Sequence, residues 1–282
     1  MVKRFNSFNH LWIMLLVAFI LLPFIPLILW SFTKQWPWPL LVPEKWSLES
    51  WHYLFSNTGM AVEALKNSLM VSFLTLFGNL VFGVPAAKVL AQLNFKGKNA
   101  VFLILLSPLF IPYTVSIIGV HDLAIRLEFL NPYMSVALGH MFVTFPYFIA
   151  TIWFEFQLIG SKIQEAAKML GANEWKVFWW IELPLLLPSL FLGSLLVMII
   201  SLSQYLPTWI MSGGTLLTLP LVIFPFASSG NSSIVSAYSI WFFLPILFLM
   251  IIYFILMKIH SRRGNTFGKE GSYASKTGKH SL

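Results

Sequence analysis

Long apolar runs separated by short polar segments dominate this chain. A helix needs about 20 predominantly apolar residues to cross the hydrocarbon core of a bilayer. Six stretches have that length: residues 11–32, 62–91, 100–120, 134–154, 185–206 and 237–259. The pattern therefore predicts an all-α membrane protein with six transmembrane helices.

One further apolar run, residues 216–226, is only eleven residues long. It contains Pro220 and Pro225 and is flanked by Ser/Gly stretches, so it is too short and too interrupted to cross. We interpret it as an interfacial or re-entrant segment.

The positive charges test this arrangement, because Lys and Arg gather on the cytoplasmic side of membrane proteins. With six spans and a cytoplasmic N-terminus, 14 of the 18 Lys and Arg residues fall at cytoplasmic ends. These are Lys3, Arg4, Lys88, Lys96, Lys98, Lys162, Lys168, Lys176, Lys258, Arg262, Arg263, Lys269, Lys276 and Lys279. The four others are Lys34, Lys45, Lys66 and Arg126. A seventh span at residues 216–226 would move the positive C-terminal tail outside, so we predict that both termini are cytoplasmic.

Composition supports the same class of protein. Of the 282 residues, 58% are hydrophobic and 10% are charged, which lies outside the usual range of soluble domains. The net charge of +8 is spread over loop ends and the tail, so topology explains it better than nucleic-acid binding does. The absence of cysteine excludes disulfides and thiolate metal sites. The first apolar run has no cleavage site after it and is predicted to be a retained helix.

These features divide the chain into three segments. Residues 1–60 are predicted to hold the first transmembrane helix and an outer loop, in which four Trp rings anchor at the headgroup level. These rings are Trp36, Trp38, Trp46 and Trp51. Residues 61–260 are predicted to form the core of five further helices. Residues 261–282 are polar and basic, and a disordered cytoplasmic tail is expected there.

Every predicted span contains proline, which bends transmembrane helices. Six bent helices are typical of a bundle around a pathway, but proline is also simply common in membrane helices. Gly83 and Ala87, four residues apart, favour a close contact between helices.

The energy source for transport is not visible in the chain itself. Ionisable groups inside a membrane are costly and mark ion-coupled transporters, but among the interiors of the last four spans only His140 is ionisable. A lone His in a span is more often a hydrogen-bonded core residue than a proton relay. The chain also lacks the phosphate-binding pattern G-x-x-x-x-G-K-[ST], since "GSYASKTGKHS" from Gly271 has the wrong spacing. Active transport would therefore need a partner that hydrolyses ATP.

A short polar segment, residues 161–184, interrupts the apolar runs between the fourth and fifth spans. Ser161 and Gln164 match a capping box at the start of a helix over residues 162–170. Gly171 is suited to end that helix in a left-handed conformation, and Asn173 is suited to cap a second helix. We predict a helix-turn-helix whose apolar face serves as a docking element. An ordinary amphipathic connector has the same local features.

A family resemblance favours docking. Glu165-Ala166-Ala167, three residues, Gly171, nine residues and then Ile181-x-Leu183-Pro184 resemble the EAA loop of permease subunits of binding-protein-dependent ABC importers at every defined position. The resemblance covers about residues 60–260 and includes "ALKNSLMVS" and "LLSPLFIP".

The resemblance implies that the loop is a coupling helix seated in a groove of a cytoplasmic ATPase subunit. Glu165 would make polar contacts there, Ala166 and Ala167 would fit the groove, and Gly171 would set the turn. The residues implied in ATPase coupling are Glu165, Ala166, Ala167, Gly171, Ile181, Leu183 and Pro184. One such chain is half of an importer's membrane portion.

The partners implied are a second permease subunit, an ATPase dimer that binds ATP and Mg, and an extracytoplasmic solute-binding protein. The second permease subunit is either another copy of this chain or, as is usual in the polyamine and iron groups, a different chain. The location implied is the bacterial plasma (inner) membrane. The chain itself is expected to be non-catalytic and to bind no cofactor or metal.

The segments "ALGHMFVTFPYF" and "EAAKMLGANEWKVF" resemble permeases for polyamines, ferric iron, thiamine, sulfate or phosphonates more than sugar permeases, which are the alternative. Candidate pathway-lining residues are Ser194, Ser201, Gln204 and Thr208, which together with Val197 recur at three- and four-residue steps. Hydrogen bonding between helices explains the same stripe. An ATP-independent channel or facilitator is a rival function, whereas a membrane enzyme would need a catalytic cluster that the scattered Asp, Glu and His residues do not offer.

Overall fold

The computed structural model describes residues 7–34, 36, 40, 42–128 and 131–277, with side chains described from Trp12 to Lys258. Some residues used above lie outside the described part: Lys3, Arg4, Trp38 and Lys279, together with the side chains of Arg262, Arg263, Lys269 and Lys276. Within the described part the chain is helical and has no strand, apart from an isolated bridge between Thr33 and Trp46.

The described residues form fourteen α-helices. They are α1 (Ser7–Leu21), α2 (Phe24–Ser31), α3 (Glu49–Phe55), α4 (Ala61–Gly78), α5 (Val84–Gln92), α6 (Lys98–Leu106), α7 (Tyr113–Arg126), α8 (Pro132–Ile159), α9 (Lys162–Met169), α10 (Glu174–Val177), α11 (Leu183–Leu202), α12 (Leu206–Ser212), α13 (Leu219–Ser228) and α14 (Ser232–Thr277). A 3₁₀ turn covers Ser107–Leu109, and two π-helical segments cover Asn79–Gly83 and Phe178–Glu182.

The prediction of an all-α membrane protein is confirmed. Five helical stretches among the described residues are long and apolar enough to cross a membrane: Trp12–Ser31, Ala61–Gln92, Pro132–Ile159, Glu174–Leu202 and Ser232–Lys258. A bent pair, Lys98–Leu109 and Tyr113–Arg126, brings the number to six when it is counted as one span.

The third predicted span, residues 100–120, is wrong as a single helix. Its two halves are bent by 106° at a break between Leu109 and Tyr113. Pro108 lies in the 3₁₀ turn, and Pro112 has φ −53° and ψ 115°, which is not helical. Because proline donates no backbone hydrogen bond and its ring crowds the preceding turn, the helix ends here.

The end of the fifth predicted span also differs from expectation. Helix α11 ends at Leu202, before the predicted limit at residue 206, and α12 begins at Leu206 with Pro207 in its first turn. The polar stripe predicted for one helix is therefore split: Ser194 and Ser201 lie in α11, Gln204 in the connection and Thr208 in α12. By contrast, the short apolar run at 216–226 lies largely in the ten-residue helix α13, which is shorter than a span.

Helix α14 continues to Thr277 and so includes most of residues 261–282, for which composition predicts a disordered tail. The prediction of disorder rested on the composition of this segment, which indicates only how much apolar surface the segment can bury. Helical hydrogen bonds are local to the backbone, so a polar segment can extend an existing helix without burying anything.

The chain divides into two compact units, with boundaries inside α4, between α12 and α13, and inside α14. The first unit comprises Met1–Lys66 and Leu217–Pro245. Its core contains the fully buried Leu54, Leu219 and Tyr238, and the Tyr238 hydroxyl donates a hydrogen bond to the Gly59 carbonyl.

The second unit comprises Asn67–Leu216 and Ile246–Leu282, and its core is organised around Phe148 of α8. A Cβ atom added to Gly83 would lie 2.6 Å from the Phe148 ring, and one added to Gly193 would lie 3.1 Å from it. Both glycines therefore allow their helices to approach the ring closely. The close contact predicted for Gly83 and Ala87 is confirmed, and Ala87 is fully buried in the same cluster.

The two π-helical segments occur in equivalent sequence contexts. Gly83 ends the first segment two residues before Pro85, and Glu182 ends the second two residues before Pro184. A proline ring cannot coexist with a regular hydrogen bond to the residue four positions earlier, and the wider π turn relieves that conflict. Each π turn also shifts by one residue the face that the helix buries.

Candidate functional site

The segment that carries the family motif leaves α8 through a backbone conformation restricted to glycine. Gly160 has φ 66° and ψ 176°, a region that side chains with a Cβ atom avoid. Its N–H group still bonds to the Phe156 carbonyl at 3.1 Å, which closes α8. Helix α9 then begins at Lys162 and ends at Met169, close to the predicted 162–170.

The predicted capping box at the start of α9 is wrong. Ser161 has helical dihedral angles (φ −84°, ψ −22°), and its side chain makes no cap hydrogen bond. Gln164 is only 8% exposed, and its buried Nε2 atom has no hydrogen-bond partner. A capping box needs an extended cap residue. Here the chain already enters the helix at Ser161, so the Gln164 amide packs inward.

The turn after α9 agrees with the prediction. Gly171 is left-handed (φ 85°), its N–H bonds to the Lys168 carbonyl at 2.9 Å, and the N–H of Ala172 bonds to the Ala167 carbonyl at 3.1 Å. These two bonds satisfy carbonyls that the end of α9 would otherwise leave free. The Asn173 side chain accepts the Lys176 N–H at 2.8 Å and so caps α10, as predicted.

An exposed ion pair closes the turn from the side. Lys168 Nζ lies 2.8 Å from Glu174 Oε1. The hydrogen bond to Glu174 and its negative charge raise the pKa of Lys168 above its ordinary value. Since a raised lysine pKa stabilises the charged form, the pair holds at neutral pH; it is lost as the pH rises through the pKa of Lys168 or falls through the pKa of Glu174, which the same contact lowers.

Large apolar side chains around the turn face outward. Met169 and Leu170 are each 90% exposed, and Trp175 is 70% exposed. Glu165 and Ala166 are exposed beside them, and Ala167 is half-buried. A concentration of exposed apolar side chains marks an interaction surface or a membrane contact. We call Glu165–Leu170 together with Trp175 the loop surface.

The remaining motif residues lie at the start of α11. Ile181 and Leu183 are half-buried and Pro184 is exposed. Between them, Glu182 is fully buried, as is Val177 five residues earlier at 2% exposure. A five-residue spacing of buried positions follows from the π turn, which places Glu182 on the face that a regular helix would give to Ile181.

Sequence reasoning missed the partner of this buried carboxylate. Lys88 Nζ of α5 lies 2.6 Å from Glu182 Oε2, and Gln92 Nε2 donates to Glu182 Oε1 at 3.1 Å. The only signal of this pair in the sequence was a Glu just before one apolar span (Glu182) and a Lys near the end of another span (Lys88). A cavity of about 340 Å³ lies beside Lys88 and Gln92, and its lining also includes Gln164, Glu165 and Lys168.

Two of the candidate pathway residues, Ser201 and Thr208, hydrogen-bond to α8 within the second unit. His140 of α8 is 2% exposed; its Nδ1 lies 2.8 Å from Ser201 Oγ and its Nε2 lies 2.9 Å from Thr208 Oγ1. This geometry agrees with His140 as a hydrogen-bonded core residue and with the stripe as a contact between helices. Ser194 and Gln204 are half-buried, with part of their surface open.

A second polar stripe, also missed, lies on α4 and the following π segment. Its members recur at three- and four-residue steps and are almost fully buried: Ser68, Ser72, Thr75 and Asn79. Asn79 Nδ2 donates to Thr144 Oγ1 of α8 at 2.9 Å. Ser/Thr/Asn residues at helical spacing in the second predicted span were the available signal.

Comparison with known proteins gives consistent relatives, although no family model matches the chain. It is 30% identical over 223 residues to the spermidine/putrescine transport system permease protein PotC of Haemophilus influenzae, covering 78% of this chain and 84% of that protein. It is 28% identical over 218 residues to the arabinooligosaccharides transport system permease protein AraQ of Halalkalibacterium halodurans, covering 75% and 76%.

A third relative is the molybdate/tungstate transport system permease protein WtpB of Pyrococcus abyssi, 33% identical over 138 residues, or 49% of this chain and 55% of that protein. Among solved structures, a chain of a bacterial ABC transporter involved in the import of the acidic polysaccharide alginate has the same fold. The TM-score is 0.61 at 18% identity, over 90% of this chain and 95% of that one.

Proposed function

Because the chain belongs to the permease subunits of binding-protein-dependent ABC importers, we propose that it forms half of the solute pathway of an ATP-driven importer and couples to a cytoplasmic ATPase through residues 161–184. Such permeases are the non-catalytic transmembrane components, so ATP is hydrolysed by the partner.

The loop surface is the observation that carries this proposal. Met169 and Leu170 are 90% exposed next to the motif residues Glu165–Ala167. Small side chains at Ala166 and Ala167 permit a close approach of another backbone, while Glu165 offers a charge at the rim. In this assignment Gly171 fixes the turn, and Ile181, Leu183 and Pro184 direct α10 into α11.

The mechanism is alternating access. The ATPase subunits close on ATP and Mg and open after hydrolysis, and the loop surface follows them. Such coupling works only if the loop binds the two ATPase states with different geometry and passes that difference to the spans.

Further components complete the transporter. They are an ATPase dimer, a second permease subunit that is a different chain, and an extracytoplasmic solute-binding protein. The permease lies in the bacterial inner membrane with six spans and both termini in the cytoplasm. The positive residues at the predicted cytoplasmic ends support this orientation.

The transported solute in this proposal is small and polar or charged, of the polyamine, ferric iron, thiamine, sulfate or phosphonate class. The likeness to a spermidine/putrescine permease supports this group. A sugar-type permease is the second candidate, since the arabinooligosaccharide permease AraQ matches a similar share of the chain. The ligand of the binding protein that works with this permease distinguishes the two.

The coupling role is tested by cross-linking. Because the chain has no cysteine, Ala167→Cys carries a single thiol to which a maleimide photocross-linker can be attached in native membranes. We expect an adduct that contains the ATPase subunit. Asn231→Cys, at an exposed position that is predicted to lie on the outer side, is the control. Failure of Ala167→Cys to capture the ATPase, or equal capture by Asn231→Cys, would contradict the proposal and favour an ATP-independent channel.

A further inference from the structure

One partly buried ion pair joins the segment that follows the loop surface to a different span. Glu182 ends the π segment before α11 and is fully buried, while Lys88 lies on α5 with its side chain 29% exposed. The 2.6 Å separation between ammonium and carboxylate is that of a direct, charge-assisted hydrogen bond.

Side chains of α5 contact both the first and the last residue of the π segment. Gln92, one turn after Lys88, binds the second oxygen of Glu182, so both carboxylate oxygens have partners on α5. The Lys88 ammonium also lies 5.2 Å from the ring centre of Phe178, the first residue of the π segment. One lysine therefore contacts the first and the last residue of this segment.

The π segment is in turn continuous with the loop. Helix α10 begins at Glu174 and runs directly into the π segment and then into α11. Since a helix transmits axial and rotational movement along its hydrogen-bonded backbone, a displacement of α10 carries Glu182 with it.

A buried carboxylate cannot leave its cation without a large desolvation cost. When Glu182 moves, separating the ion pair therefore costs more free energy than keeping it intact. Lys88 is thus expected to move together with Glu182. Apolar contacts between the same helices do not hold two particular residues together in this way. Dispersion energy changes little when one apolar helix surface slides along another.

We propose that Lys88 and Glu182 are positioning residues that transmit the displacement of the loop to α5. This inference rests on the coupling function proposed above and deepens it. Glu182 occupies the undefined position between Ile181 and Leu183 of the motif, so the family resemblance assigns it no role. The pair makes α5, and through its continuous helix also α4, the first span to respond to the ATPase.

Hydrogen–deuterium exchange of the complete transporter tests this without knowledge of the solute. Exchange is followed by mass spectrometry in two segments, residues 174–183 and 84–95, with and without ATP plus vanadate. The native pair is compared with the neutral double variant Lys88→Met/Glu182→Leu and with the reversed pair Lys88→Glu/Glu182→Lys. Replacing both charges leaves no unpaired ion in the core, so the neutral variant is expected to fold.

In the native protein and the reversed pair, both segments should change their exchange rate on nucleotide binding, by about fivefold or more if the coupling is of ordinary strength. In the neutral variant, residues 174–183 should still respond and residues 84–95 should not. The exposed pair Asp122–Arg126 provides the control, because Asp122→Asn/Arg126→Gln should leave both responses intact.

A response of residues 84–95 in the neutral variant equal to that of the native protein overturns the inference, as does the absence of that response in the native protein. A native transporter in which residues 174–183 ignore nucleotide contradicts the coupling function itself.

Discussion

At the scale of single residues, two glycines occupy nearly the same backbone conformation in different turns. Gly97 has φ 87° and Gly171 has φ 85°, and a Cβ atom at either position would meet nothing within 4 Å. Any other residue would therefore carry similar backbone strain at both positions, about 1–2 kcal/mol. Only Gly171 adjoins the loop surface, so comparing the two positions separates the cost of strain from the cost of lost docking.

This pair yields a prediction. Gly171→Trp should abolish ATP-driven uptake of the binding protein's ligand, because the indole would stand beside the surface on which we propose that the ATPase docks. Gly97→Trp should insert into the membrane equally well and retain most uptake. Uptake into vesicles and the amount of permease in the membrane are measured for both variants.

Glu165→Lys should behave like Gly171→Trp, since it reverses the exposed charge on the same surface. Full uptake by both Glu165→Lys and Gly171→Trp would exclude the coupling role of the loop. Equal loss in Gly97→Trp would mean that backbone strain, rather than docking, is responsible.

At the scale of elements, α8 is held between α5 and α11 by close packing rather than by charge. Phe148 fills the space that Gly83 and Gly193 leave open, and none of its surface is accessible (0%). Around this contact, His140 and Asn79 hydrogen-bond across helices, so a dry apolar core and buried polar pairs act together.

Gly83→Ala should destabilise the protein by about 1–3 kcal/mol, because the new methyl group would lie 2.6 Å from a ring that Gly193 confines on its other side. Gly119→Ala in α7 is the matched control, since its Cβ meets nothing within 4 Å. Ala is the better helix former, so the control should be neutral or slightly stabilising. Thermal unfolding in detergent measures both, and equal midpoints would refute the packing account.

At the scale of the whole molecule, function depends on which side of the membrane each loop occupies. The proposed topology places Gly97 and the loop surface in the cytoplasm and Asn231 outside. A membrane-impermeant maleimide should therefore label Gly97→Cys only in inside-out vesicles and Asn231→Cys only in right-side-out vesicles. Labelling of Gly97→Cys from the outside would place residues 161–184 out of reach of any cytoplasmic ATPase.

Local features were predictable wherever the cause is local. The left-handed Gly171 and the Asn173 cap follow from the residue types and a few neighbours, and the structure has both. The capping box at Ser161 and Gln164 failed because Ser161 already has helical dihedral angles and makes no side-chain cap bond, while the Gln164 side chain is buried.

The sequence by itself determined the membrane class, the family and the positions of most spans, because runs of apolar residues and a motif of fixed spacing are properties of the linear chain. Only the tertiary structure showed the 106° break between α6 and α7, and only it paired Lys88 with Glu182, His140 with Ser201, and Asn79 with Thr144. The physical reason is that these pairings join residues 61 to 94 positions apart. Which polar side chains meet depends on helix rotation, and each π turn changes that rotation by an amount that hydropathy does not record.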